Sequence, residues 1–452
     1  MTRDTLKTGG FYKSLISIVF PITLQNFMFA LIPVCDAMML VALDQNSMSA
    51  VSLASQAMFV LNIFIYGIAS GASMFAAQYW GKKDIRSIEK VFAYVMKIMI
   101  PVLIVFFVCA FFFPEGVMRI FTTGDDIVAK GIIYLRIVAF AYIFDGAAQM
   151  YAIILKNVGL VKQSTVISLI MVGLNIGLNA VFIFGLFGCP ALGCAGAALG
   201  TAISCYAGLI GCVAVLHKKS SVRLRISDIR KTDPLIRNDF SKYSTAMMIN
   251  QILWGIGFTM ITVIIGHLGD DAIAANAIVA VAKDLVSCFC FALAAGGSIM
   301  VGNELGAGNL QRGKEYGGRL CKLSILSGLI LGILLAASTP LICRFVDITP
   351  TAERYLIGML LMCTYYIMGR SVNSTVIGGI FISGGDTRFG MICDTVTMWA
   401  VIVPAGAIAA FIFHLPVLWV FFILNLDEMV KLPAVYIHYK KYLWVRNIVD
   451  KT

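Results

Sequence analysis

The sequence predicts an all-α integral membrane protein with twelve transmembrane helices in two pseudo-symmetric six-helix lobes. Three observations predict it. The 452 residues are 60% hydrophobic and only 13% charged, with mean hydropathy +0.89. Soluble domains run at about 45–50% apolar and about 25% charged. Twelve mostly apolar stretches meet or exceed the roughly 20 residues a helix needs to cross a bilayer. The third observation is a duplication: Asn26 to Gly81 returns without a gap, 225 positions later, as Gln251 to Gly306.

The twelve spans fall near 14–40, 48–79, 92–113, 131–155, 164–187, 195–216, 243–266, 273–303, 320–342, 353–382, 389–412 and 417–438. Several are longer than the bilayer is thick and are expected to tilt, kink or project from it. None shows the period-two alternation of a membrane β-strand. The repeat pairs Leu43 with Leu268, Ala50 with Ala275, Gly71-Ala-Ser73 with Gly296-Gly-Ser298, and Gln78-x-x-Gly81 with Asn303-x-x-Gly306. It continues in looser register, with Leu155 to Lys162 matching Phe381 to Arg388 at an offset of 226. The charged segment 217–242, with its Thr232-Asp-Pro234 turn signal, leaves six spans on either side. The domains are therefore expected as an N-lobe at 1–216, an inter-lobe loop at 217–242 and a C-lobe at 243–452. Halves with the same order and orientation are parallel repeats about an axis along the membrane normal, and transporters place substrate between such halves.

Orientation follows from Lys and Arg. The segment His217 to Lys242 carries Lys218, Lys219, Arg223, Arg225, Arg230, Lys231, Arg237 and Lys242, whereas the opposite loops hold few cations: Arg119, Lys130, Arg344 and Arg354. The positive-inside rule puts segments 1–13, 217–242 and 439–452, and so both termini, in the cytoplasm. The net charge of +11 is then topology plus contact with anionic membrane lipid. Nucleic acid is excluded as a partner, because the cations are spread over separate short loops. The first apolar run has no small-residue cleavage site and reads as a signal-anchor. The expected location is the cytoplasmic (inner or plasma) membrane.

The twelve Cys form no C-x-x-C pair, and the four His, at 217, 267, 414 and 438, form no cluster. Cys189 and Cys194 share an outer loop and are a candidate disulfide. No nucleophile–base signature or phosphate-binding loop is present, so neither an enzyme nor a cofactor is expected. The two lobes supply one complete pathway, which predicts a monomer.

Polar residues inside spans are the candidate sites, since they are costly there and mark ion or substrate paths. Asp36 lies in the outer half of span one. A carboxylate withdrawn from water favours its neutral form and a nearby cation its ionised form, so such a group can exchange a proton for a cation. Asn175 and Asn179, four apart, share a face of span five, and Thr201 on span six adds a hydroxyl. Their oxygens suit either Na⁺, at Asp36, Asn175 and Asn179, or a protonated Asp36. Pro21 removes a helix hydrogen bond and is placed to let span one bend. On span four, Tyr142, Asp145 and Gln149 share a face. Asp145 shifted by 225 is Arg370 in span ten, which suggests a pair across the cleft, against pairing of each within its own lobe. Lys283 beside Asp284 in span eight, and Trp254 in span seven, are candidates to line the cavity.

The chain resembles the multidrug and toxic compound extrusion (MATE) family over nearly its whole length. The resemblance rests on Pro21 with Asp36, Gly71 to Gly81, Asn175-x-x-x-Asn179, Gly196-Ala-Ala-Leu-Gly-Thr201, and Gly302 to Asn309, in that order over a duplicated twelve-span frame. It implies export of small organic cationic or amphipathic compounds in exchange for H⁺ or Na⁺ by alternating access, with Asp36 as the cation-site acid. The chain also departs from the family. Asn179 stands where one branch often has Asp, and Lys283 where Arg is common. The acids that another branch carries in spans seven and ten are missing, as Asn250 to Gly255 and Arg370 show. That argues against a C-lobe cation site. The alternative function is a flippase of lipid-linked saccharides in the same wider superfamily, for which Arg136, Lys283 and Arg370 are possible phosphate-binding cations.

Overall fold

A lipid-embedded backbone has no water to satisfy its N–H and C=O groups, so apolar runs of this length must close their hydrogen bonds internally as helices. The computed structural model describes residues 8–346 and 348–450, and among them there is no strand. Residues 1–7 of the expected first inner segment and 451–452 of the last lie outside the described residues. The helices are α1 (Thr8–Val41), α2 (Gln45–Lys82), α3 (Ile85–Phe112), the short α4 (Pro114–Arg119), α5 (Asp125–Asn157), α6 (Val161–Phe184), α7 (Cys194–Lys219), the short α8 (Ile226–Arg230), α9 (Pro234–Gly266), α10 (Asp270–Gly306), α11 (Leu310–Phe345), α12 (Pro350–Phe381), α13 (Thr387–Ile412), α14 (Val417–Leu424) and α15 (Asp427–Lys440).

Eleven of these are long and apolar enough to cross a membrane. The twelfth expected span, 417–438, is instead two shorter helices, α14 and α15, broken at Asn425 and Leu426. The reason is chemical: Asp427, Glu428 and Lys431 enter where an unbroken apolar helix would continue, and all three are buried. The preceding two helices are also irregular. The backbone winds wider, with i→i+5 bonding, over Ser374–Phe381 in α12 and over Val396–Ile402 and Ile408–Ile412 in α13. In α13 these wide turns flank Pro404, which has no N–H to give and crowds the preceding turn.

The starts of α2, α3 and α12 carry side-chain caps. Asp44 accepts the backbone N–H of Ser47 at 2.7 Å ahead of α2, Asp84 accepts that of Ser87 at 3.0 Å ahead of α3, and the Thr349 hydroxyl accepts that of Ala352 at 3.2 Å ahead of α12. Asp44 also takes the Lys130 ammonium at 2.8 Å. Lys130 first, and Ser47 with it, hold its carboxyl well below the usual carboxylate range.

The chain forms two compact units: Leu24–Lys242, and Tyr243 onward together with the start of α1 as far as Thr23. Helix α1 is thus shared, unlike the expected N-lobe beginning at residue 1. In the second unit, Phe11 of α1 meets the Tyr316 ring at 4.8 Å, and a Cβ at Gly296 would lie 2.7 Å from Val19. In the first, the charged loop is pinned to the foot of α3. Arg86 binds Asp228 at 2.7 Å, buried Glu89 accepts the Arg223 backbone N–H at 2.9 Å and lies 3.2 Å from the Arg225 guanidinium, and Lys90 meets Asp233 at 2.9 Å. Cys189 and Cys194 are both free; buried Cys194 points its thiol at the Ser47 carbonyl.

Candidate coupling and substrate sites

In the first unit the polar residues of α1, α6 and α7 meet. The Asn179 amide nitrogen donates to the Asp36 carboxylate at 2.7 Å. The Asn175 amide donates to the Thr201 hydroxyl at 3.1 Å, and that hydroxyl donates to the Ala197 carbonyl at 2.9 Å. Asn175 and Asn179 are buried, whereas Asp36 is half-buried. The contact is possible because α7 is glycine at position 200: a Cβ there would fall 2.1 Å from the Asn179 amide oxygen. That oxygen is buried without a hydrogen-bond partner. The Asn179 amide therefore turns its nitrogen, not its oxygen, to Asp36.

Tyr142, Asp145 and Gln149 lie along α5. Gln149 donates to Asp145 at 2.7 Å, and the buried Tyr142 hydroxyl has no partner. Pro21 is inside α1, thirteen residues past its first described residue Thr8, and the helix continues through it to Val41.

In the second unit Arg370 is paired with Glu428 of α15 at 2.7 Å. Asp145 is held by Gln149 and Arg370 by Glu428, each within its own unit. Glu428 is a hub. Its other oxygen accepts from Asn373 at 2.9 Å and lies 3.2 Å from the Lys431 ammonium. Lys431 reaches Asp394 of α13 at 3.0 Å and stands 3.9 Å from Asp427. The far oxygen of Asp394 accepts from Asn250 of α9 at 2.9 Å. Trp254 lines a small cavity with Asn250, Asp394, Asp427 and Lys431, and the Arg370 guanidinium lies 5.5 Å from its ring. Lys283 donates to the Asn425 amide oxygen at 2.6 Å and sits 3.8 Å from the centre of the Tyr366 ring.

Sequence reasoning thus missed Asp394, Asp427, Glu428 and Lys431. The signal was present: three charges lie within five residues of an expected span, and intramembrane charges pair or act. The absence of acids from spans seven and ten concealed carboxylates that reach the same region from the last two. Asp394 and Glu428 are paired with Lys431 and Arg370, Asp427 stands 3.9 Å from Lys431, and no group of three or more acidic, His or Cys side chains suited to a metal occurs among the described residues.

A helical membrane protein duplicated along its length, with ionisable groups buried inside its spans, belongs to the class of membrane transporters. The MatE family model matches it twice, at residues 21–181 and 246–408, so the chain is a member of the MATE family. The two matches fall on the two halves of the duplication. Among relatives, it is 22% identical over 442 residues to "Uncharacterized transporter YisQ" of Bacillus subtilis (strain 168), covering 96% of this chain and 95% of that one. It is 23% identical over 413 residues to "Probable multidrug resistance protein YoeA" of the same organism, covering 90% and 89%. A crystal structure of a MATE protein in the bent conformation superposes with TM-score 0.86 at 15% identity, covering 96% of this chain and 95% of that one. The chain therefore has the twelve-helix, two-lobe MATE fold.

Proposed function

We propose that this transporter exports small organic cationic or amphipathic compounds by alternating access, in exchange for H⁺ bound at Asp36. The observation that supports this reading is the hydrogen bond from the Asn179 amide to Asp36 at 2.7 Å, together with the unpartnered oxygen of the same amide. An ionised Asp36 accepts the amide N–H. A protonated Asp36 needs an acceptor for its own O–H, and a half-turn of the Asn179 amide supplies one. The amide nitrogen then faces Gly200, where no side chain obstructs the turn. Asn175 and Thr201 fix the backing of the amide. Na⁺ would ask for several oxygens aimed at one point, whereas Asn179 offers Asp36 a nitrogen. An organic cation and the proton then compete for one negative group, which makes exchange obligatory.

The reading is tested by reconstitution. Proteoliposomes given a pH gradient in Na⁺-free buffer should accumulate a cationic dye, and Asp36→Asn should fall to the level of empty liposomes. Uptake driven by a Na⁺ gradient alone moves the coupling to Na⁺. Full activity of Asp36→Asn under either gradient removes Asp36 from the mechanism.

A further inference from the structure

Among the described residues, two buried cations of the second unit have carboxylate partners: Arg370 pairs with Glu428, and Lys431 with Asp394 and Glu428. Lys283 does not. Its ammonium has one hydrogen bond, to Asn425, and the face of Tyr366. Among the described residues no carboxylate lies within ion-pair distance of it; Asp427 and Asp284 act on it only from further off. An ammonium has three donors, so two are unspent. An amide oxygen and an aromatic face compensate only part of the charge, and a charge left uncompensated inside a membrane protein is costly.

Arg370 stands four residues after Tyr366 on α12, and so on the same face. Its guanidinium lies 4.9 Å from the Phe291 ring and 5.5 Å from that of Trp254, and its Nε has no partner. Two cations with unspent donors are thus framed by aromatic rings. That arrangement has the chemistry to hold a planar molecule bearing an anionic group.

We propose that Lys283, with Arg370 beside it, binds the carboxylate of an amphipathic aromatic substrate, whose ring system packs among Tyr366, Trp254 and Phe291. The inference rests on the export reading and extends its amphipathic class: such a cargo carries an acid as well as an apolar body. Arg370 keeps Glu428 when the site is filled, so Lys283 is the residue that discriminates, and the substrate supplies the counter-ion the protein withholds.

The test is equilibrium dialysis of 1-naphthaleneacetate, and separately of its methyl ester, against nanodiscs holding the full chain, with empty discs subtracted. The parent should bind the acid about tenfold or more tighter than the ester, since hydrogen bonds to charged groups reach that size. Lys283→Met keeps an apolar stem and should bind the two alike; Lys283→Arg should retain the preference. Equal binding of acid and ester by the parent overturns the proposal, whatever the variants do. So does an undiminished preference in Lys283→Met. Binding needs no gradient, so a failure at Asp36 with the acid preference intact rejects the coupling alone. A missing preference with Asp36-dependent transport intact rejects this site alone.

Discussion

At the scale of single residues, the two units handle buried charge in opposite ways. In the first, Asp36 has a neutral partner, so its charge is free to change. In the second, Glu428 is held between Arg370, Lys431 and Asn373, so its charge is fixed. Glu428→Ala should therefore act on the fold before it acts on transport. It strands buried Arg370 and leaves Lys431 to Asp394, and removing one partner of a buried pair costs about 3–5 kcal/mol. Thermal unfolding in detergent should show a clear fall in Tm, and an unchanged Tm would mean the network is idle. Gly200→Ala probes the other unit. Its methyl group would meet the Asn179 amide oxygen, and overpacking costs about 1–3 kcal/mol. The protein should still fold, yet lose gradient-driven transport, because the amide can no longer face Asp36. Gly200→Ala with parental transport would sink the amide-turn account. The sequence showed Asp36 and the Asn175/Asn179 face, because a helix places residues four apart together whatever else it touches. It did not show that Arg370 meets Glu428, because the partner across a helix contact depends on which helices pack and at what height.

At the scale of elements, hydropathy located eleven spans and also marked the twelfth, but not its break. The average over 417–438 is dominated by Val417 to Leu424, and it hides the three charges that follow. A buried network among α9, α12, α13 and α15 explains what a lipid-exposed helix with those charges could not. Pro21 is the other irregularity with a consequence. The division between the units falls at Thr23, two residues beyond it, and Pro21 leaves the carbonyl one turn earlier without its helix bond. Pro21→Ala restores that bond. It should leave stability equal or higher and slow transport, read as a lower rate of dye uptake at the same pH gradient; an equal rate would show that α1 does not bend there in the cycle. The cap of α2 gives a pH prediction. Asp44 has its carboxyl depressed by Lys130 and Ser47, so its contribution is complete above the ordinary carboxylate pKa and is lost as pH falls through the lower folded value. The difference in Tm between the parent and Asp44→Ala should be constant from about pH 8 to pH 5 and shrink below about pH 4.

At the scale of the whole molecule, the fold is duplicated and the proposed coupling group is not. Shifted by 225, Asp36 falls on Ile261; shifted by 226, Asn175 and Asn179 fall on Val401 and Ala405. Duplication copies a scaffold because each half needs the same packing faces. A charge is kept only where it acts, since each one inside the bilayer is costly. The second half holds Asp394, Glu428, Arg370 and Lys431 in ion pairs. A single coupling acid at Asp36 predicts one proton per cycle. For a monovalent organic cation, one proton in for one cation out moves no net charge. Uptake into proteoliposomes should then be insensitive to a membrane potential clamped with valinomycin and K⁺. At a gradient of one pH unit, net flux should vanish when the cation gradient reaches about tenfold, the ratio equal in free energy to that proton gradient. A balance point near a hundredfold, or a rate that follows the clamped potential, would reveal a second titrating group, and Asp145, buried with the neutral Gln149 amide as its partner, and Asp427, 3.9 Å from Lys431, are where to look for it.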